Sequence, residues 1–203
     1  IVTKSKFCIF PTTGTSTGES VSSHQYVRAM NSTAPTSRCS AGKPIRLRWF
    51  GFPQARPGED LEVASRKFLD VISNKNRDIN QYVSSMAVAE FKQRIRIAQA
   101  GLLTPQREIK PIDSSKAPQL FEIRWQSITV RERNGSGVFE DKRLLIRMYH
   151  SEPEEVPTHF VAHHIHEKII SGDGSTWLLQ NEEISTAIGY WQAGLSINWG
   201  IQS

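Results

Sequence analysis

The stretch Thr158–Ile170, THFVAHHIHEKII, carries four of the six histidines in a chain of 203 residues. Imidazole is the side chain whose ordinary pKa lies nearest neutrality, so closely spaced histidines can move protons or hold a metal ion. The stretch reads as a strand. At a two-residue period, Val161, Ile165 and Ile169 share one face with His163, and His164, His166 and Lys168 share the other. The first face is expected to be core, with His163 structural, and the second a site. Two imidazoles on one side of a strand can also chelate zinc, but no third ligand is evident, so no metal site is expected.

A strand of this kind needs neighbours. Leu120–Trp125, LFEIRW, alternates Phe121, Ile123 and Trp125 against Glu122, Arg124 and Gln126, and Arg143–Tyr149, RLLIRMY, alternates Leu144, Ile146 and Met148 against Arg143, Leu145, Arg147 and Tyr149. Both are expected to show arginine outward. The turn signal Asn134-Gly135-Ser136-Gly137 lies between them, with Thr129–Arg133 extending the first strand, so the two strands and the histidine stretch form an antiparallel meander.

Upstream, Ile45–Phe52 alternates well enough for a short strand, and residues Pro53–Gly58 break it. From about Asp60, the spacing of Leu61, Ala64, Phe68 and Ile72 predicts an amphipathic helix, with Glu59, Asp60 and Glu62 suiting its dipole. After Asn74–Asp78, the stripe Val88, Phe91, Ile95, Ala98 and Leu102 predicts a second helix ending near Gly101, with Lys92, Arg94 and Arg96 off the stripe. A closing helix is expected over Glu182–Ala193, capped by Asn181, with Ile184, Ala187, Ile188 and Trp191 buried and Gly194 as the stop. The expected fold class is therefore α+β: an antiparallel sheet meander with two N-terminal helices and a C-terminal helix packed on one face.

Charge is distributed unevenly along the chain. Residues 1–49 are net +6, 92–147 are net +6 and 148–203 are net −6. The basic middle can meet phosphate or an acidic partner, and the acidic end argues against a surface that coats nucleic acid at large. Residues 1–40 contain 15 Ser/Thr and no sustained period. These first 40 residues are accordingly read as carrying at most one short strand, at Phe7–Phe10, and 1–59 is taken as an N-terminal extension before the domain of 60–203. Ile1 is an unusual first residue, and Met30 is an alternative start. Cys8 and Cys39 are read as two free thiols. No apolar run reaches membrane-helix length, and the first residues lack the order of a secretion signal, so a cytoplasmic location is expected.

Residues 61–193 resemble the RelE/ParE superfamily of toxins from bacterial toxin–antitoxin systems, in particular its HigB- and RelE-like members. The features that carry the resemblance are the helix pair ending at Gly101, the LFEIRW and RLLIRMY strands, the FVAHHIHEK strand ending in Lys168, and the QNEEISTAIGYWQ helix containing Ala187. The chain departs from the family in its first 60 residues, in Glu167-Lys168 where the third strand usually ends Lys-Lys, and in its density of histidine. The resemblance implies cleavage of mRNA on the ribosome through the 2′-hydroxyl. No metal or other cofactor is needed for that chemistry, and a small-molecule ligand is not expected. It also implies a cognate antitoxin, a small helix-turn-helix protein whose acidic segment would meet the basic middle.

That cleavage needs a base, an acid and cations for the charge building on phosphate. His164 and His166 are the candidate base and acid, and Lys168 and Arg147 complete the catalytic set. Arg124, Arg143, Lys92 and Arg96 are candidate RNA-binding cations, and Tyr190 is a candidate base platform. Each has a plainer role available: surface ion pairs for the arginines, a solvated helix face for Lys92 and Arg96, and core packing for Tyr190 beside Trp191. Two other functions stay open, a non-nucleolytic ParE-like toxin that binds DNA gyrase, and a phage-derived interaction or structural protein of the same topology.

Overall fold

The computed structural model describes residues 35–73, 76–112, 120–170 and 176–202, which fall in one compact unit, Ala34–Ser203. The expected strand at Phe7–Phe10, Cys8 and Met30 lie outside the described residues. In chain order the elements are β1 (Arg46–Trp49), α1 (Asp60–Ile72), β2 (Arg77–Asp78), α2 (Gln81–Gln99), β3 (Ile109–Pro111), β4 (Leu120–Trp125), β5 (Thr129–Arg133), β6 (Phe139–Arg143), β7 (Ile146–Ser151), β8 (His159–Glu167) and α3 (Thr176–Leu195). The fold is α+β.

The helices form where their apolar spacing requires. Asp60 and Glu62 lie in the first turn of α1, whose Phe68 and Ile72 are fully buried. Asn80 caps α2, its side chain accepting from the Val83 N–H at 3.0 Å. Gly101, at φ +73°, turns the chain out of the helix; a Cβ there would lie 2.5 Å from the Lys43 carbonyl oxygen. Phe68 stacks on Phe91 at 4.7 Å, and Phe91 on Trp125 of β4 at 5.0 Å. Those rings anchor α1 and α2 to one face of the sheet. Leu102, expected in the α2 stripe, is exposed because the helix has already ended.

The main sheet runs β1-β8-β7-β4-β3, and β2-β5-β6 form a second sheet. The meander β4-β7-β8 is antiparallel as expected, but β1 adds to it parallel to β8, Leu47 opposite Phe160. Residues 37–59, grouped by composition with the extension, belong to this unit: Cys39, Ile45, Leu47, Trp49 and Ala55 are in the core. Thr129–Arg133 does not extend β4. It pairs with β6, Thr129 opposite Arg143, and the RLLIRMY run is split between β6 and β7 at buried Leu144. The 129–143 hairpin is too polar to enter the main sheet, and Arg77 fastens it instead. The Arg77 side chain is 1% exposed, with Nε 2.7 Å from Glu132 of β5 and Nη2 2.6 Å from Glu167 of β8, and it donates to the Ile72 carbonyl at the end of α1.

The third helix corrects two expectations. It starts at Thr176, so Asn181 is an interior rather than a capping residue. It also covers the opposite face of the sheet from α1 and α2. Its Ile188 packs on Leu120 with Ile184 and Trp191 alongside, while Tyr190 and Trp191 meet Phe50, Val161 and Trp199 in a separate apolar cluster. The sheet is thus buried on both sides. No helix among the described residues is long and apolar enough to cross a membrane.

Candidate functional site

A β-bulge decides which β8 side chains reach the α3 face. Tyr149 pairs with His164 but His150 pairs with Ala162, leaving His163 as the extra residue. The strand's alternation is reset there. Phe160, Ala162 and Ile165 face α1 and α2, whereas Val161, His164 and His166 face α3. Val161 and Ile165, expected on one face, are therefore on opposite ones, and Ile169 is exposed. His163 is fully buried. Its Nδ1–H donates to the Phe50 carbonyl at 3.3 Å, so Nε2 accepts from the Ser151 hydroxyl at 2.8 Å. Burial lowers its pKa to about 3, consistent with a neutral, structural imidazole.

Beneath α3 the strands place six polar side chains in two cross-strand rows: Glu122, Tyr149, His164, and Arg124, Arg147, His166. Glu122, 2% exposed, accepts from Arg124 Nε at 2.6 Å and lies 3.9 Å from Arg147 Nε. Arg147, expected outward, is 5% exposed because α3 covers it. Burial lowers its pKa, with Glu122 opposing that shift. Burial also raises the Tyr149 phenol, and the charges of Glu122 and Glu183 add to the effect.

His164 Nε2 is 2.5 Å from Glu183 Oε2 of α3, and this hydrogen bond is the leading cause holding the Glu183 carboxyl below its ordinary range. The His166 ring lies parallel to His164 at 5.9 Å. His166 Nδ1–H donates to the Glu167 carbonyl at 3.2 Å, which leaves Nε2 as a bare lone pair with no hydrogen-bond partner among the described residues. Burial brings its pKa down to about 4. His166, Lys168, Gln180 and Glu183 line a cleft of about 40 Å³. That space suits a water molecule, not a nucleotide.

The remaining candidates are distributed over other surfaces. Lys92 pairs with Glu62 at 3.0 Å on the exposed side of the helix pair. Arg96 lines an open groove of about 680 Å³ along α2 with Tyr82 and Met86. Tyr190 packs in the Phe50–Trp199 cluster. Arg124 and Arg143 do come together, with Arg94 and Arg107, around a cleft of about 270 Å³ whose one carboxylate among the described residues is Glu108. Glu108 is already engaged. Burial works against its charge, but the Thr104 N–H at 2.8 Å and Arg94 at 3.1 Å hold its pKa below the ordinary value. Arg107 is 76% exposed at the rim, and the Arg143 side chain donates to the Gln126 carbonyl.

Sequence reasoning missed Glu183, Glu108, Arg94 and Arg107 as site members. Arg94 and Arg107 lay in the basic run 92–147 but had no periodic relation to Arg124 or Arg143. The chain matches no family model, no curated protein and no solved structure.

Proposed function

We propose that this domain is an interaction module that captures an acidic segment of a partner protein in the arginine cleft formed by the end of α2, residues 104–109 and the ends of β4 and β6. The observation that carries the reading is four arginines around one cleft whose only carboxylate among the described residues is already paired. Guanidinium forks match carboxylates in pairs, and such a positive cleft steers an acidic ligand before contact. Arg124 is held by Glu122 and Arg94 by Glu108, so the donors are fixed in place before binding. A small helix-turn-helix antitoxin with an acidic tail is one partner that fits this chemistry. The test is fluorescence anisotropy with a labelled glutamate-rich peptide and a single-stranded RNA of equal charge. Peptide binding that weakens with salt and falls roughly tenfold in R107A or R143A is expected. Binding of neither probe, or peptide binding indifferent to both variants, overturns the reading.

One observation favours a second reading, that of the metal-free ribosome-dependent endoribonuclease. The bare Nε2 of His166 is a neutral base beside a paired His164–Glu183 and Lys168. On that reading α3 must lift to admit RNA. H166A then abolishes cuts mapped on translated mRNA while the fold survives, and preference for the RNA probe over the peptide moves this reading ahead. If wild-type protein leaves translated mRNA uncut, the nuclease reading fails.

A further inference from the structure

Cys39, His150 and Glu152, which line neither cleft, converge at the point where the 3-10 turn Arg38–Ser40 docks on the end of β7. All three are buried, at 0%, 0% and 5% exposure, and one ligand atom from each lies within 4.8 Å of the others. His150 Nε2 is 3.9 Å from Cys39 Sγ and 3.2 Å from Glu152 Oε1. For a tetrahedral ion with ordinary zinc bond lengths, the corresponding separations are about 3.6 Å between sulfur and nitrogen and about 3.3 Å between nitrogen and oxygen.

The same three residue types also make up nucleophilic triads, and the geometry separates the two cases. In a triad the thiol and the carboxylate engage opposite ring nitrogens. Here both approach Nε2, and Nδ1 has no hydrogen-bond partner among the described residues. A relay is therefore absent, and three donor atoms point at a common centre. One N–H cannot serve both neighbours well, whereas a cation between them satisfies all three.

The surroundings hold the donors in place. Phe121 lies against the His150 ring at 5.6 Å and Phe160 meets it edge-on at 5.4 Å. The Ser37 hydroxyl donates to Glu152 Oε1 at 2.5 Å, and the Arg38 N–H to Oε2 at 2.6 Å. Such outer contacts orient ligands in built metal sites. We propose that Cys39, His150 and Glu152 bind a zinc-class divalent cation, with the fourth position open to water or the Ser37 hydroxyl, and that the ion staples residues 37–40 to the sheet. Mixed sulfur, nitrogen and oxygen donors suit zinc rather than calcium or magnesium. Binding displaces the thiol proton, which leaves to solvent, and the imidazole binds through the Nε2 lone pair with its hydrogen on Nδ1.

The test uses the full chain, untagged and purified without chelator. Elemental analysis is expected to find one zinc per chain, and cobalt loaded in its place should show a near-ultraviolet thiolate charge-transfer band. C39A should lose the band and weaken zinc binding at least about a hundredfold, with E152Q losing roughly tenfold. C8A and H164A should leave both readouts unchanged. A folded wild-type chain that takes up no cobalt overturns the proposal whether or not C39A folds. A band that survives C39A, or that depends on Cys8, overturns it equally.

Discussion

Acidification from about pH 7 to about pH 4 is expected to remove about 6 kcal/mol of stability from the domain, a large part of what a unit of this size holds. Two imidazoles carry the effect. His163 and His166 are kept neutral by burial down to about 3 and about 4, against an ordinary value of 6.5. The unfolded chain takes up both protons as pH falls through 6.5 while the folded chain does not, so the stability present at neutral pH is lost on the way down. Each contributes about 3 kcal/mol at about pH 4. Glu152 and Glu183, whose carboxyls are held low, add to the loss in the same direction below about 4.5. Urea unfolding across this range measures it directly, and H166Q should cut the proton uptake from about two to about one. A free energy that stays flat between about pH 7 and pH 5 would contradict the buried, neutral state of both rings.

Arg77→Ala is the second large effect, expected to cost about 3 kcal/mol and lower the melting temperature by about 10 °C. The guanidinium is buried while Glu132 and Glu167 keep partial solvent access. Its loss therefore removes two ion pairs and the bond to Ile72 and leaves Glu132 and Glu167 to share the half-exposed Lys142, whose Nζ lies 2.5 and 4.0 Å from them. The triple change R77M/E132Q/E167Q should recover much of the loss, because it removes the negative charge in excess of Lys142. Limited proteolysis should then find the 129–143 hairpin cut first in R77A and intact in the triple variant. A single variant that melts like the wild type would show that the hairpin is held by something else.

The sequence made the helices and the central strands legible because their signal is periodic. Phe68 and Ile72, or Phe91, Ile95 and Ala98, could face nowhere but a core, and Phe121, Ile123 and Trp125 needed only alternation. The site was harder to read because its determinants are not periodic. The bulge at His163 puts Val161 on the α3 face with His164 and His166, where unbroken alternation set it with Ile165, and no residue type announces it. The stripe Ile184, Ala187, Ile188 and Trp191 showed that the last helix buries a face, not which side of the sheet receives it. That choice turned Arg147 from an outward cation into a covered one. Glu183, expected at the start of the last helix, became the partner of His164 once the helix proved to begin at Thr176. Cys39 gave no hint of His150 or Glu152, more than a hundred residues away.

The parallel pairing of β1 with β8 also sets the order in which a nascent chain can mature. Phe50 and His163, which bond just beyond this pairing, are 113 residues apart. At ordinary elongation rates, β1 therefore leaves the ribosome about ten seconds before its partner exists. During that interval Leu47 and Trp49 have helices to rest on but no strand to join. The last residues matter as much, since the Arg48 side chain donates to the Trp199 carbonyl at 2.8 Å. Completion of the fold thus waits for residue 199 to emerge, and a ribosome stalled before residue 159 displays an open strand edge to whatever chaperone or partner is at hand.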